Sequence, residues 1–396
     1  MTLKDVMSRP AYQHMERFVN QRHYSTFCEY SEVDERFKPK SGADSFELPV
    51  HLVPRDQIDI YTDNPPHDLM MWYDSDVIPF PVHPDVPPEH LRGIVVYPAG
   101  KPVRAVPTAC TRTVLALDHD AGDHFLKLHM PRRISRFNRR LRPSSVRHSI
   151  DVSQDLEDVD YGAFAYLPES MGLVYGGANG FGCIVREMKP RPHQEGRALI
   201  PYFALYSIDE KAPEEKPLLV QMINREGANP ETFVAERILI PLIACWCATL
   251  KQRGVLLESH GQNTMLEVDT ALTPRRVVHR DFQSTMIDPS VRQVRGLDVP
   301  FTKHVIGVDG LFPREQEYSL VYDYLMGHHL LDSVANVLPR YYGTAIDGVR
   351  ERCREAFHHL VPDASAFPPT TFQYVDRPFP DNIPELEDTR RAPEWR

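Results

Sequence analysis

Glu258-Ser-His-Gly-Gln-Asn263 and His279-Arg-Asp281 bring two carboxylates, two carboxamides and two histidines into one short stretch of the chain. Hard oxygen donors of this kind suit Mg²⁺, which is usually held by one or two carboxylates together with substrate phosphates. Glu258, Asn263 and Asp281 are therefore the candidate metal ligands. Upstream lie cations of complementary charge, namely Arg112 beside Thr113, then Lys127, then Arg139. Arginine offers a planar fork to phosphate or carboxylate, and lysine a mobile point charge. Cations facing a metal cradle point to nucleotide chemistry. Taken singly, each of these polar residues is more often a solvated or structurally hydrogen-bonded side chain. The signal lies in the set.

The elements that must position this set follow from patterning. Ile94-Val-Val-Tyr97, Thr113–Leu117 and His124–His129 have the apolar, β-branched content of half-buried strands. Lys127 then sits on a strand. The run from Arg132 to Arg147 repeats Ile134, Phe137 and Leu141 at intervals of three and four, which predicts a short amphipathic helix carrying Arg139. Arg136, Arg140 and Arg142 fall to its solvated side. The acidic run Asp151–Asp160 reads as an exposed loop. The glycines between 172 and 182 suggest a turn feeding a strand, and no Walker loop, because no Gly-Lys-Ser/Thr follows. Glu258 and His260 would share one face of a strand. A hairpin around Pro274 would then carry Asp281 back toward them.

Toward the N-terminus, Tyr12–Tyr24 has a short helical pattern and Phe46–Val53 an extended one. After Pro230 the sequence turns helical, with Thr232 as N-cap, a long apolar helix ending at Arg253-Gly254, and further helices over Glu315–Val337 and Ala345–Leu360. The proline-rich, acidic tail after Pro362 is expected to wrap the surface or fray. The chain divides into a reduced N-terminal region (1–92), an α+β nucleotide-binding region (93–230) and a mainly helical region with the metal and ATP site (231–396).

Composition sets outer limits. The 396 residues are 42% apolar and 25% charged, ordinary for a globular protein with a sizeable core. A formal charge of −10 argues against a nucleic-acid binder. The longest apolar stretch, Ile238–Leu250, contains Pro241 and falls short of the roughly 20 residues of a membrane span, so it reads as a core helix. Six cysteines (28, 110, 183, 245, 247 and 353) lack metal-ligand spacing and fit the reduced thiols of a cytoplasmic protein. His279-Arg-Asp281 also invites a phosphotransferase reading. Against it, the glycines follow the candidate lysine, and no Asp-Phe-Gly follows downstream.

Four blocks, in order, resemble the siderophore synthetases that work independently of nonribosomal peptide synthetases, the aerobactin-synthetase (IucA/IucC) type. They are Phe80-Pro-Val-His-Pro84, Pro107-Thr-Ala-Cys-Thr-Arg-Thr113, Lys127-Leu-His-Met with Arg133-Ile-Ser-Arg-Phe-Asn-Arg139, and Glu258-Ser-His-Gly-Gln-Asn263 with Arg280-Asp281. The resemblance implies an α+β fold like a cupped hand, with a mixed α/β fingers region and a mainly helical palm. It implies ATP- and Mg²⁺-dependent adenylation of a carboxylic acid and condensation with an amine, hydroxylamine or alcohol. Such relatives often form homodimers. Carried over, Arg112, Thr113, Lys127, Ser135 and Arg139 bind phosphates and the acyl-adenylate. Glu258, Asn263 and Asp281 hold Mg²⁺, with Asn263 also touching the nucleotide, and His260 faces the carboxylate. Arg139, His260 and Lys127 would be the catalytic groups. Three departures stand out. Ser135 replaces the usual threonine, Cys110 the usual serine, and residues 1–79 hold no early His-Pro-x-His-Pro block, so citrate is not the expected acid. A degenerate member that binds without catalysis is the further alternative.

Overall fold

The computed structural model describes residues 1–8, 10–21, 30–40, 42–73, 75–117 and 119–396. Its centre is a seven-stranded antiparallel sheet. In spatial order the strands are Phe46–Leu48, Val103–Pro107, Thr113–Ala116, His124–Lys127, Phe181–Glu187, Met171–Tyr175 and Ile58–Thr62. Register sets the chemistry of one row, because Thr113 pairs with Lys127 and Lys127 with Ile184. Arg186 lies two residues beyond Ile184 and so points to the same face. The other face packs on an apolar layer that includes Leu126, Leu173, Phe181 and Val185.

Helix Pro143–Asp155 crosses this sheet through Val146 and Ile150, which meet Val174 and Ile184. A Cβ on Gly172 or Gly182 would collide with Val146, so those glycines let helix and sheet approach. A second, four-stranded sheet runs Phe164–Tyr166, Pro274–His279, Thr264–Val268, Ala198–Pro201. Its strands come from both sides of residue 230. The helical run from Pro230 to Arg253 contains a π-helical turn, Val234–Leu239, and ends at left-handed Gly254. By length and composition this one helix among the described residues would pass for a membrane span, yet 72% of its most apolar window is buried inside the fold.

Several expectations are corrected. Ile94–Val96 is a 3₁₀ turn between left-handed Gly93 and Pro98, with Val95 and Val96 exposed. The basic run is a tight hairpin, Arg133–Ile134 against Phe137–Asn138, and the helix begins only at Pro143. Ser135 turns the hairpin at φ 59°, so the helical spacing of Ile134, Phe137 and Leu141 is coincidental. Residues 151–155 continue the helix, their acids lying beside buried Val152 and Leu156. Asn229, not Thr232, caps the long helix, accepting from the Thr232 amide at 2.9 Å. The N-terminal helix spans Ala11–Phe18; the rest of that pattern, 22–24, and Cys28 lie outside the described residues.

The C-terminal helices are Arg314–Ser319, continuing as π-helix over Leu320–Leu331 to Ala335, then Val337–Tyr342 and Asp347–Leu360. The tail neither frays nor merely wraps. It forms the strand pair Phe372–Tyr374 and Leu386–Asp388, and buries Phe379 and Trp395. The five described cysteines are all free thiols.

Candidate active site

Lys127 and Asp281 form an ion pair at the centre of the site, the lysine fully buried and the aspartate mostly so. Lys127 arrives on the central sheet. Asp281 follows strand Pro274–His279, at a left-handed φ of 73°. A non-glycine residue held there signals local strain maintained by its surroundings. Arg186, itself paired with buried Glu169, stands 3.6 Å from the other Asp281 oxygen. Burial would raise the Asp281 pKa, but Lys127, Arg186 and Arg112 hold it well below the usual carboxylate range. Lys127 is shifted the opposite way to a surface lysine pair, because burial outweighs the aspartate and lowers its pKa.

Arg112 and Arg139 flank this pair. Arg112 Nη1 donates to the Arg139 carbonyl at 3.1 Å and Nη2 to Gln283 Oε1 at 2.7 Å, while its Nε is buried without a partner. Among the described residues, Arg139, just past the basic hairpin, hydrogen-bonds protein through Nε alone, to the Ile134 carbonyl at 3.1 Å. Burial and then Arg112 lower its pKa. Neither arginine has a carboxylate ion pair among the described residues. Thr113 is also buried, beside the Cys110 thiol, and Ser135 sits at the turn of the hairpin. Cys110 shares the loop with Arg112; burial raises its thiol pKa, but Arg112 chiefly brings it below the ordinary value.

Glu258 completes the cluster, although not from a strand. The strand ends at Leu256, and Glu258 and His260 lie in the turn after it, with 3.9 Å between Oε1 and Nε2. Burial first, then repulsion from Asp281, pushes the Glu258 pKa up to about 7 against the pull of Arg139, Lys127 and Arg112. The Gln262 amide donates to His260 Nδ1 at 3.2 Å. Asn263 is buried, its backbone tied to Arg280, and its side-chain amide has no protein partner among the described residues.

The structure thus brings Arg112, Thr113, Lys127, Arg139, Glu258 and Asp281 together, with His260 beside Glu258. Other singled-out residues have different duties. His279 is buried against Ser259 at 3.0 Å, and Arg280 pairs with Glu16 at 2.6 Å, so only Asp281 of that tripeptide faces the cluster. Arg136 is buried and bonded to Asp376 at 3.1 Å rather than solvated, whereas Arg140 and Arg142 are exposed. His83 is a core residue between Phe37 and Phe46, with a pKa of about 3 set by burial.

Sequence reasoning missed Arg186, Gln283, Lys303 and Tyr374. Arg186 had a visible signal, a cation inside the apolar strand Phe181–Glu187. Tyr374 had none. It comes from the tail, where burial and then Glu258 raise its phenol pKa.

Among the described residues no group of three or more His, Cys, Asp or Glu side chains is placed to hold a metal. The two mutually repelling carboxylates, Glu258 and Asp281, do fit Mg²⁺ of the kind that completes its shell with phosphate and water.

Comparison with known proteins adds the fold. A family model described as ferric iron reductase FhuF-like transporter matches residues 234–368. No curated protein sequence matches. Among solved structures, ATP-bound aerobactin synthetase IucA from a hypervirulent pathotype of Klebsiella pneumoniae is similar at TM-score 0.71 and 14% identity, over 99% of this chain and 80% of that one. Aerobactin synthetase IucC from the same pathotype gives TM-score 0.65 and 18% identity, over 91% and 71%. Petrobactin biosynthesis protein AsbB from Bacillus anthracis str. Sterne gives 0.64 and 16%, over 83% of this chain and 64% of that one, so the chain spans less than two thirds of that protein. At such identities the likeness is one of fold: the chain is an α+β protein with the fold of the NRPS-independent siderophore synthetases.

Proposed function

We propose that this chain is an ATP- and Mg²⁺-dependent ligase. It would adenylate a carboxylic acid and condense it with an amine, hydroxylamine or alcohol, in siderophore or related natural-product biosynthesis. One observation carries the reading. Among the described residues, Arg112 and Arg139 converge beside the Lys127–Asp281 pair and Glu258 without carboxylate ion pairs of their own, in a chain of net charge −10. Buried cations without counter-charge are costly unless an anion completes the site. The fold is shared with a synthetase solved with ATP bound, which supports a nucleotide as that anion.

In the first step a substrate carboxylate oxygen attacks the α-phosphorus, and the bond to pyrophosphate breaks. Arg112, Lys127 and Arg139 are fixed before reaction and stabilise the charge that grows on the phosphoryl oxygens. Glu258, Asn263 and Asp281 would hold Mg²⁺, which offsets phosphate charge when bound. In the second step the nucleophile attacks the acyl carbon, AMP leaves with the electron pair, and the nucleophile gives up a proton. His260, beside Glu258, is placed to orient the carboxylate. Much of the remaining acceleration is positioning of two reactants in one cleft. The three-region division at 92 and 230, a cytoplasmic location and a homodimer belong to the same proposal.

Incubation with ATP, Mg²⁺, a panel of carboxylic acids and hydroxylamine tests it. Hydroxamate formation with matching AMP and pyrophosphate supports the ligase. Release of ADP with phosphate transfer would establish the phosphotransferase instead. Absence of Mg²⁺-dependent ATP binding would leave a ligand-binding protein without this catalysis.

A further inference from the structure

Lys303 lies outside every segment singled out in the sequence. Its Nζ donates to Ser145 Oγ at 2.6 Å, in the first turn of helix Pro143–Asp155. The loop that carries it packs on the elements around Asp281. His148 of that helix meets the Thr285 carbonyl at 2.9 Å and lies 5.3 Å from the His304 ring. The Ile287 amide donates to the His304 carbonyl at 2.8 Å, and the Ile306 amide to the Ile287 carbonyl at 2.9 Å. Lys303 is thus held by backbone and side chain where the loop meets the site.

The amine has no carboxylate ion pair among the described residues. Asp309, the acid whose charge acts on it, spends both oxygens on the amides of His304 and Val305, at 3.0 and 2.7 Å. The cations around it are Arg142, Lys127 and Arg112; burial first, then Arg142, lowers its pKa to about 8. Arg112 is 5% exposed, and its Nε has no hydrogen-bond partner among the described residues. Arg112 and Lys127 act on both Glu258 and Lys303. The site is therefore drawn out, with the carboxylate end at Glu258 and an end at Lys303 where Arg142, Lys127 and Arg112 outnumber the one nearby acid, Asp309. A group recognised at that end carries several negative charges and no cation of its own. The positive end of the helix dipole at Ser145 adds to the same preference.

Resting on the ligase reading, we propose that Lys303, with Arg112 and the Ser145 turn, binds the β- and γ-phosphates of ATP and holds the leaving pyrophosphate. AMP, which lacks those phosphates, does not reach Lys303.

Titration calorimetry in Mg²⁺ buffer with ATP, pyrophosphate and AMP separates the possibilities. Lys303→Met weakens ATP and pyrophosphate by about tenfold or more, the scale of a charged hydrogen bond, and leaves AMP unchanged. Lys303→Arg keeps most of the ATP affinity. Ser145→Ala, which frees the amine from its hydroxyl, weakens ATP and not AMP, and serves where Lys303→Met unfolds. Equal losses for AMP and ATP, or no loss for ATP, overturn the subsite while leaving the ligase reading standing. A wild-type protein that binds neither ATP nor pyrophosphate overturns the ligase reading itself.

Discussion

At Asp281 the backbone is left-handed and the carboxylate is buried against Lys127, so under the proposed ligase reading one side chain would serve both stability and chemistry. Removing it strands a buried ammonium, which typically costs about 3–5 kcal/mol. Asp281→Ala is therefore expected to lose adenylation and also to unfold at distinctly lower denaturant, whereas the double variant Lys127→Met/Asp281→Leu recovers stability but not activity. Full stability in the single variant would dissolve the pair as a structural element. That Lys127, Arg139 and Asp281 come together was legible in the sequence because each sits in a compact motif. Lys303 and Tyr374 were not, since each meets the site across more than a hundred residues, at Ser145 and Glu258, and nothing local marks either as more than a surface residue.

The hairpin that carries Ser135 and delivers Arg139 is held by the tail. Asn382 exchanges two hydrogen bonds with the Asn138 backbone, both 2.8 Å, the Phe379 amide donates to the Arg136 carbonyl at 2.8 Å, and Phe137 packs on Phe379 at 5.3 Å. This explains why periodicity misled: Phe137 faces the tail, Ile134 the apolar layer of the central sheet and Leu141 the helix Pro143–Asp155, rather than all three lining one side of a helix. Asn382→Ala is expected to weaken ATP binding several-fold with little effect on turnover at saturating ATP, because Arg139 loses its support rather than its charge. Unchanged affinity would separate the tail from the site.

The helix that begins at Arg314 supplies a pH test. Glu317, fully buried, accepts from the Phe312 amide at 3.2 Å with one oxygen and leaves the other unpartnered. Burial raises its pKa from 4.5 to about 7. The folded carboxyl thus binds its proton more tightly than the unfolded one. Its stabilising contribution is full below pH 4.5 and is lost as pH rises through 7, by about 1–3 kcal/mol. Glu317→Gln should flatten that part of the stability profile in urea melts at pH 5 and 7.5. A wild-type slope of the opposite sign, or one retained in the variant, would count against it.

Across the whole molecule the charge balance narrows the acid. The general outline of the fold was readable from patterning, as strands around Lys127 and helices after Pro230. The second sheet was not, because it draws its strands from positions 164 to 279. That assembly gathers Arg112, Lys127, Arg139 and Lys303 against Asp281 and Glu258, the last half-protonated near neutral pH. The excess is therefore two to three positive charges. A magnesium-bound triphosphate, with a net charge of roughly −2, uses most of it. What remains matches one carboxylate beside Arg139, and each further carboxylate would be desolvated without a partner. His83, buried in the aromatic core, offers no help. In hydroxamate competition, acids with one or two carboxylates should therefore outcompete citrate, and Arg139→Lys should lower turnover with all of them while Arg140→Lys does little. Citrate emerging as the best substrate would mean that cations beyond these four reach the acid.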